Sequence, residues 1–259
     1  MNSKTRTRTG ANIFMVMQII PVVDLMNGQV VRALRGQRSA YRPVVSALCD
    51  GSDPATVARA LCDYAGADTL YVADLDALTG GEVQLAVLTR LLAALPDVSL
   101  WLDAGFADAA AFARLRAALG GGGARVTPVF ASEALATTDA ARLALADAGG
   151  AILSLDRRGG ELLDRAGCWA DPALWPKRVI VMTLDRVGSF EGPDVAMLRE
   201  CARRAPRVRL IGAGGIRDED DLRAAEATGA EAWLTASALH DGRIQPRNRM
   251  EPEPGSASA

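Results

Sequence analysis

The chain has 259 residues, a net charge of -2 and an apolar content of 49%. This length and composition allow one large α/β barrel or two small domains. The near-neutral charge gives no indication of a nucleic acid or an anionic membrane as partner. No apolar run approaches the roughly 20 residues that span a bilayer. The four cysteines are scattered, as expected for free thiols in a reducing cytoplasm.

Strand-like apolar runs alternate with helical patterns along most of the chain. Residues 1–17 are expected to form an unstructured leader, residues 18–243 one domain, and residues 244–259 a disordered tail. The predicted strands are 18–24, 69–75, 98–103, 125–130, 151–156, 178–184, 207–211 and 231–235. The predicted helices are 53–64, 83–95, 107–119, 138–148, 194–205 and 218–228, with a short helical piece at 172–175. Residues 25–53 are too long for a turn and suggest a small hairpin excursion.

Eight strands alternating with helices predict a closed (β/α)₈ barrel, with active residues at the carboxyl ends of the strands. A doubly wound open sheet is the alternative. The sequence also repeats itself: LYVADLD at 70–76 parallels VMTLD at 181–185, so that Asp76 and Asp185 are 109 positions apart. Asp103 and Ala213 are 110 apart. The pattern indicates two half-barrels of four units each.

Carboxylates end four of the predicted strands: Asp24, Asp76, Asp103 and Asp156; Asp185 lies just beyond a fifth strand. Isolated buried carboxylates are costly, so several at one barrel mouth indicate a working site. Asp24 and Asp156 follow strands one and five, on opposite sides of a barrel. Such a pair can divide acid and base roles if its pKa values differ. The alternative is that these carboxylates cap helices or pair with nearby arginines.

A glycine pair follows the seventh strand and precedes an acidic helix start. The free N–H groups of Gly214, Gly215 and Ile216 are able to surround a phosphate there, although an ordinary turn would also use glycine. The only histidine is His240, so neither a histidine-based triad nor a histidine-rich metal site is expected, and no spacing demands a metal. Trp169 follows strand five, where packing is a more common role for a single tryptophan than covering a ligand.

In combination these motifs resemble the histidine-biosynthesis barrel family, which contains a ribotide isomerase and a cyclase. The resemblance rests on IIPVVDLMNGQVVRALRG at 19–36, LYVADLDALTGG at 70–81, LSLDRRGG at 153–160 and AGGIR at 213–217. It implies an Amadori-type isomerase without metal or redox cofactor, in which Asp156 protonates the ribose ring oxygen and Asp24 removes the C2 proton. It also implies a phosphate site that adds Ala236 and Ser237 to the glycine loop, and it matches Trp169 to a tryptophan of loop five.

The sequence departs from that family at loop three. The family pattern there is Gly-Gly-Gly-Ile-Arg, whereas this chain has Asp103-Ala-Gly-Phe-Ala107. A carboxylate beside a phosphate dianion is repulsive, so the second phosphate site of the family is expected to be lost. We therefore predict a singly phosphorylated ribose or amino-sugar substrate and a diverged paralogue, for which a one-carbon (methanopterin-type) cofactor pathway is one setting. The alternative is a non-catalytic barrel that binds a phosphorylated ligand.

Overall fold

Eight parallel strands close on themselves in the computed structural model, which describes residues 17–146 and 150–247. The barrel strands are β1 (Gln18–Met26), β2 (Thr69–Asp74), β3 (Ser99–Asp103), β4 (Val126–Ala131), β5 (Ile152–Arg158), β6 (Arg178–Thr183), β7 (Arg209–Ala213) and β8 (Ala232–Thr235). Each strand pairs with the next, and β8 returns to β1 with Gln18 opposite Ala232. The predicted closed barrel is confirmed, and the open sheet is excluded.

Eight helices lie between or after these strands in the described chain, and six of them begin after a residue whose side chain accepts a backbone N–H. They are α1 (Pro54–Ala65), α2 (Leu75–Leu78), α3 (Leu85–Ala94), α4 (Ala109–Ala118), α5 (Thr138–Leu145), α6 (Val195–Arg204), α7 (Glu219–Glu226) and α8 (Ser237–His240). Asp53 accepts a hydrogen bond from the Thr56 N–H and precedes Pro54, which favours a helix start. Only a short 3₁₀ turn at Pro172–Leu174 joins β5 to β6. No helix of the described chain is long and apolar enough to cross a membrane.

The interior of the barrel is packed at the amino-terminal end of its strands. Buried side chains from six of the strands meet there: Ile20, Trp101, Val129, Ile152, Ile180 and Ile211. A second, larger apolar cluster lies between the strands and the surrounding helices. A barrel filled in this way has no channel through it, so its polar chemistry is confined to the carboxyl end.

Two antiparallel hairpins explain why β1 and β5 continue past the predicted ends at Asp24 and Asp156. After β1, residues 29–32 fold back so that Asp24 lies opposite Val31. After β5, residues 161–163 fold back so that Asp156 lies opposite Leu163. The spacing is the same in both hairpins, so the half-barrel repeat is visible in the structure. Each carboxylate therefore sits on a strand held by neighbours on both sides.

The described chain runs beyond position 243. Ile244 is fully buried, and the Arg247 N–H donates a hydrogen bond of 2.9 Å to the Tyr64 carbonyl. Residues 244–247, which the sequence assigned to the tail, thus pack against α1. The predicted leader up to residue 16, and the predicted tail from residue 248, lie outside the described residues.

We expect Gly212→Ala to destabilise the barrel by about 1–3 kcal/mol, because overpacking a tight core forces neighbouring groups apart. A Cβ atom at Gly212 would lie 2.2 Å from the ring of Trp233, which is buried. Urea denaturation measures the change. Gly121→Ala is the matched control, since no atom lies within 4 Å of a Cβ there. Equal midpoints for the two variants would contradict this packing.

Candidate active site

Three carboxylates face one cavity at the carboxyl end of the barrel: Asp24, Asp103 and Asp156. Asp24 and Asp103 are both in register with Ala73 of β2, which places them at the same level two strands apart. Asp156 enters from β5, across the barrel. Tyr71 lies among them, and all three carboxylates raise its pKa in addition to the effect of burial. The three predicted site residues Asp24, Asp103 and Asp156 therefore contribute to one compact polar centre.

Asp24 is a carboxylate without a partner. Within the described chain it accepts no hydrogen bond and forms no ion pair. Arg32, which follows on the adjacent hairpin strand, binds Asp241 at 2.7 Å. Burial in the cavity wall raises the pKa of Asp24 from 3.8 to about 7. A carboxylate with this pKa exchanges a proton readily near neutral pH, as a general base requires.

Asp156 is more deeply enclosed and better held. The Ser154 hydroxyl donates a hydrogen bond of 2.6 Å to its Oδ1. Burial nevertheless raises the pKa of Asp156 well above its ordinary value, and the nearby Asp103 adds to the shift. A raised pKa favours the protonated form of Asp156, which is the form that a general acid requires. The two opposed carboxyl groups lie in different environments, and this suits one as base and the other as acid.

Asp103 is bound to its own loop. Its Oδ1 accepts the Gly105 N–H at 3.2 Å, and its Oδ2 accepts the Tyr71 hydroxyl at 3.2 Å. Burial raises the pKa of Asp103 to about 6, although both hydrogen bonds oppose the shift. The carboxylate therefore occupies a backbone donor of loop three that an external anion would otherwise use.

Loop seven differs from loop three at the matching position. The half-barrel repeat makes Gly215 the counterpart of Gly105, and within the described chain no acceptor takes the Gly215 N–H. Gly215 has a φ of +87°, and a Cβ atom there would lie 2.2 Å from the Gly192 carbonyl oxygen. Only glycine fits this turn. The residues predicted to bind phosphate line the same cavity: Gly214, Gly215, Ile216, Ala236 and Ser237.

The contacts of Arg217 show what the arginine of loop seven does. Its guanidinium group makes two hydrogen bonds to Asp221, of 2.7 and 2.8 Å, rather than facing the cavity. The arginine of the AGGIR motif is therefore a support for the start of α7. Loop three has Ala107 where loop seven has this arginine. The substitution removes a contact that supports a helix start, and it does not remove an anion ligand. The difference between the two loops lies in the Asp103 carboxylate.

Asp76 and Asp185 are outside the cavity lining, and the structure gives them a shared role. Asp76 accepts the Asn27 N–H at 3.2 and 3.1 Å, and Asp185 accepts the Gly159 N–H at 2.6 Å. Asn27 and Gly159 each lie three residues after Asp24 and Asp156. The two carboxylates thus hold equivalent hairpin turns.

The expectation that Asp76 ends strand two is wrong. β2 ends at Asp74, whose side chain caps α2 by accepting the Ala77 N–H and also accepts the Gln84 N–H. Asp76 lies within that helical turn. Trp169 is also outside the cavity lining: it is buried, and its Nε1–H donates to the Asp156 carbonyl at 3.1 Å. It packs behind the acid rather than over a ligand.

Sequence reasoning missed several residues that line the cavity. Arg38 and Arg158 reach the cavity wall and form no ion pair within the described chain, and Glu133 lies near Asp103. Tyr71 and His240 also line it. The inward direction of Tyr71 follows from the alternation along LYVADLD, which puts it on the same face as Ala73. The loop residues carry no such pattern. No group of residues suited to hold a metal ion occurs in the part of the chain that the structure describes.

A closed barrel with an acid and a base carboxyl group in its mouth defines an enzyme of the (β/α)₈ class. Comparison with known proteins narrows the class. The family model described as "Histidine biosynthesis protein" matches residues 18–245. The chain belongs to this family.

Named relatives span nearly the whole chain. A protein of Paracoccus denitrificans, 33% identical over 244 residues, covers 88% of this chain, and the match covers 96% of that relative. One of Thermomicrobium roseum is 31% identical, with 88% and 94% covered. Both are named as imidazole-4-carboxamide isomerases, with two phosphoribosyl groups in the name. An uncharacterized protein of Methanocaldococcus jannaschii is 25% identical, with 87% and 94% covered.

Proposed function

We propose that this protein is an Amadori-type aldose–ketose isomerase that acts on a phosphorylated ribosylamine or a related amino sugar. The observation that carries the proposal is the pair of opposed carboxyl groups in one cavity. Burial raises the pKa of Asp24 to about 7 and the pKa of Asp156 well above its ordinary value. The family and the names of its relatives support the reaction class. The reaction needs proton transfers only, so these two side chains are sufficient for it.

The first step opens the sugar ring. Asp156 donates its proton to the ribose ring oxygen, the bond from that oxygen to C1 breaks, and the nitrogen lone pair forms an imine with C1. Asp24 then removes the proton from C2, which gives the enolamine. Return of a proton to C1 and loss of the C2 hydroxyl proton yield the aminoketose. The atoms of substrate and product are the same, and no external oxidant or reductant enters.

The phosphate of the substrate is proposed to bind at loops seven and eight. The N–H of Gly215 is free within the described chain, and Ala236 and Ser237 lie on the same wall of the cavity. Backbone N–H groups at such turns are suited to a phosphate dianion. The glycine at position 215 allows the close approach that a side chain would block.

A second phosphate is not expected at loop three. The relatives' names carry two phosphoribosyl groups, but here the Asp103 carboxylate already accepts the Gly105 N–H. A phosphate at this position would lose that donor and meet a buried carboxylate of like charge. We therefore propose a substrate with one phosphate, which makes the protein a diverged member of its family.

A non-catalytic barrel that binds a phosphorylated ligand is less well supported. Burial of Asp24 and Asp156 disfavours their charged forms and therefore lowers the stability of the fold at neutral pH. A protein that only binds a ligand has no need for this arrangement. The proposed location is the cytoplasm, a reducing compartment, since none of the four cysteines forms a disulfide within the described chain. The proposed partner is the small phosphorylated substrate alone, and the near-neutral charge supports neither nucleic acid nor membrane.

Asp24→Asn and Asp156→Asn are each expected to lower turnover by about 10²–10⁴-fold, because each removes a positioned acid–base group. The assay uses a panel of N-substituted 5-phosphoribosylamines with one phosphate. Because burial disfavours the charged carboxylate, Asp24→Asn should be at least as stable as the wild type at pH 8. Thermal melts therefore control for folding. Full activity of folded Asp24→Asn would refute the mechanism.

Asp103→Gly restores the family residue and frees the Gly105 N–H. We expect it to improve binding of the relatives' doubly phosphorylated ribotide by about tenfold or more, as expected when one donor to a charged group is gained and a like charge removed. Asp103→Asn removes the charge but keeps the side chain, and should gain less. Competition against the singly phosphorylated substrate measures both changes. An unchanged affinity in Asp103→Gly would show that loop three does not exclude the second phosphate.

A further inference from the structure

The only histidine of the chain lies in the wall of the cavity and has no part in the proposed proton transfers. His240 ends α8, one helical turn after Ser237, so the two side chains are neighbours on one face of that turn. The intervening residues Ala238 and Leu239 point into the apolar core. His240 is only 3% exposed, and it borders the same cavity as Gly215 and Ser237.

One nitrogen of the His240 ring is occupied by the protein. Nδ1 lies 3.1 Å from the Ser46 hydroxyl oxygen. That oxygen also accepts the Leu48 N–H at 3.2 Å. The Ser46 hydroxyl is able to donate its own hydrogen to Nδ1. In that tautomer the hydrogen of the neutral imidazole is on Nε2.

The other nitrogen has no partner. Within the described residues Nε2 makes no hydrogen bond. The ring is neutral at pH 7, because burial and the charge of Arg32 lower the pKa of His240 to about 4, against the opposing effect of Asp241. Arg32 itself is held by two hydrogen bonds to Asp241. Nε2 is therefore available to a ligand in the cavity that supplies a hydrogen-bond acceptor.

We propose that His240 is a further phosphate-binding residue, whose Nε2–H donates to the substrate phosphate held by the backbone N–H groups of Gly215 and Ser237. The inference rests on the phosphate end of the proposed function. It assigns the His240 side chain to phosphate recognition and Ser46 to fixing its tautomer. His240 takes no part in the chemistry at C1 and C2, so its effect falls on binding and not on the proton transfers.

Two substitutions separate this role from a structural one. In His240→Gln the side-chain amide nitrogen stands in for Nε2, whereas in His240→Asn the amide reaches only to Nδ1 and keeps the contact with Ser46. The measurement is the dissociation constant for inorganic phosphate, obtained by titration calorimetry of the full chain at pH 7.5. Thermal midpoints are measured for the same variants.

We expect His240→Asn to bind phosphate about tenfold more weakly, as loss of a hydrogen bond to a charged group implies, at an unchanged thermal midpoint. His240→Gln should recover most of the affinity. With the substrate, His240→Asn should raise KM with little effect on kcat.

If His240→Asn binds phosphate as tightly as the wild type while His240→Gln loses stability, the histidine only supports the Ser46 loop and the proposal is overturned. Absence of phosphate binding by the wild type also overturns it. Isomerase activity of the wild type in that case would leave the proposed function standing, so the two failures are distinguishable.

Discussion

The burial of ionisable carboxyl groups at the mouth of the barrel is the constraint on which this active site depends. Burial shifts the pKa of Asp24 from 3.8 to about 7, and no partner in the described chain offsets it. The folded state therefore resists ionisation: the penalty is absent below pH 3.8, grows as the pH rises, and is complete above about 7. At about 1.4 kcal/mol for each pKa unit, the penalty is of the order of a few kcal/mol. The same shift makes the group useful as a base near neutral pH.

The rest of the barrel keeps these groups in place. Large apolar side chains, including Trp101, fill the barrel interior below the carboxyl groups. This packing leaves no space into which the carboxyl groups could move. The hairpins after β1 and β5 are fixed from the side by Asp76 and Asp185. These half-buried carboxylates hold the backbone near Asp24 and Asp156 while they remain outside the cavity lining.

The two half-barrels contain two similar loops that differ in whether a backbone N–H has an acceptor. In loop seven the glycine turn leaves the Gly215 N–H open to the cavity. In loop three the equivalent Gly105 N–H is bound by Asp103, two residues earlier in the chain. One side chain thus distinguishes a turn whose N–H has an acceptor from a turn whose N–H has none within the described chain. The Tyr71 hydroxyl, which also binds Asp103, links this change to the centre of the cavity.

Much of this arrangement is predictable from the sequence, because strands buried on both faces and helices with capped starts leave periodic patterns. The eight strands, the closed barrel and the positions of Asp24, Asp103 and Asp156 on strands follow from such patterns. The role of Asp76 does not, since its partner Asn27 is 49 residues away and local composition carries no signal of that contact.

Contacts within the site were equally hidden from the sequence. Three such features depend on side-chain rotamers and loop conformation. They are the hydrogen bond from Gly105 to Asp103, the ion pair of Arg217 with Asp221, and the position of His240 in the cavity wall. Charge and residue type alone predicted repulsion at loop three, and the structure adds that the Asp103 carboxylate accepts the Gly105 N–H. Arg217 illustrates the opposite case, in which a motif residue with the right charge for a phosphate serves the scaffold.

The most direct test of the central claim is a carboxyl-carbon NMR titration of the protein labelled with ¹³C-aspartate. Spectra of Asp24→Asn and Asp156→Asn assign the two signals. We expect Asp24 to titrate near pH 7 and the pKa of Asp156 to lie well above its ordinary value, because both groups are buried. Titration of both groups near pH 4 would show that the cavity does not separate an acid from a base, and would contradict this account of the active site.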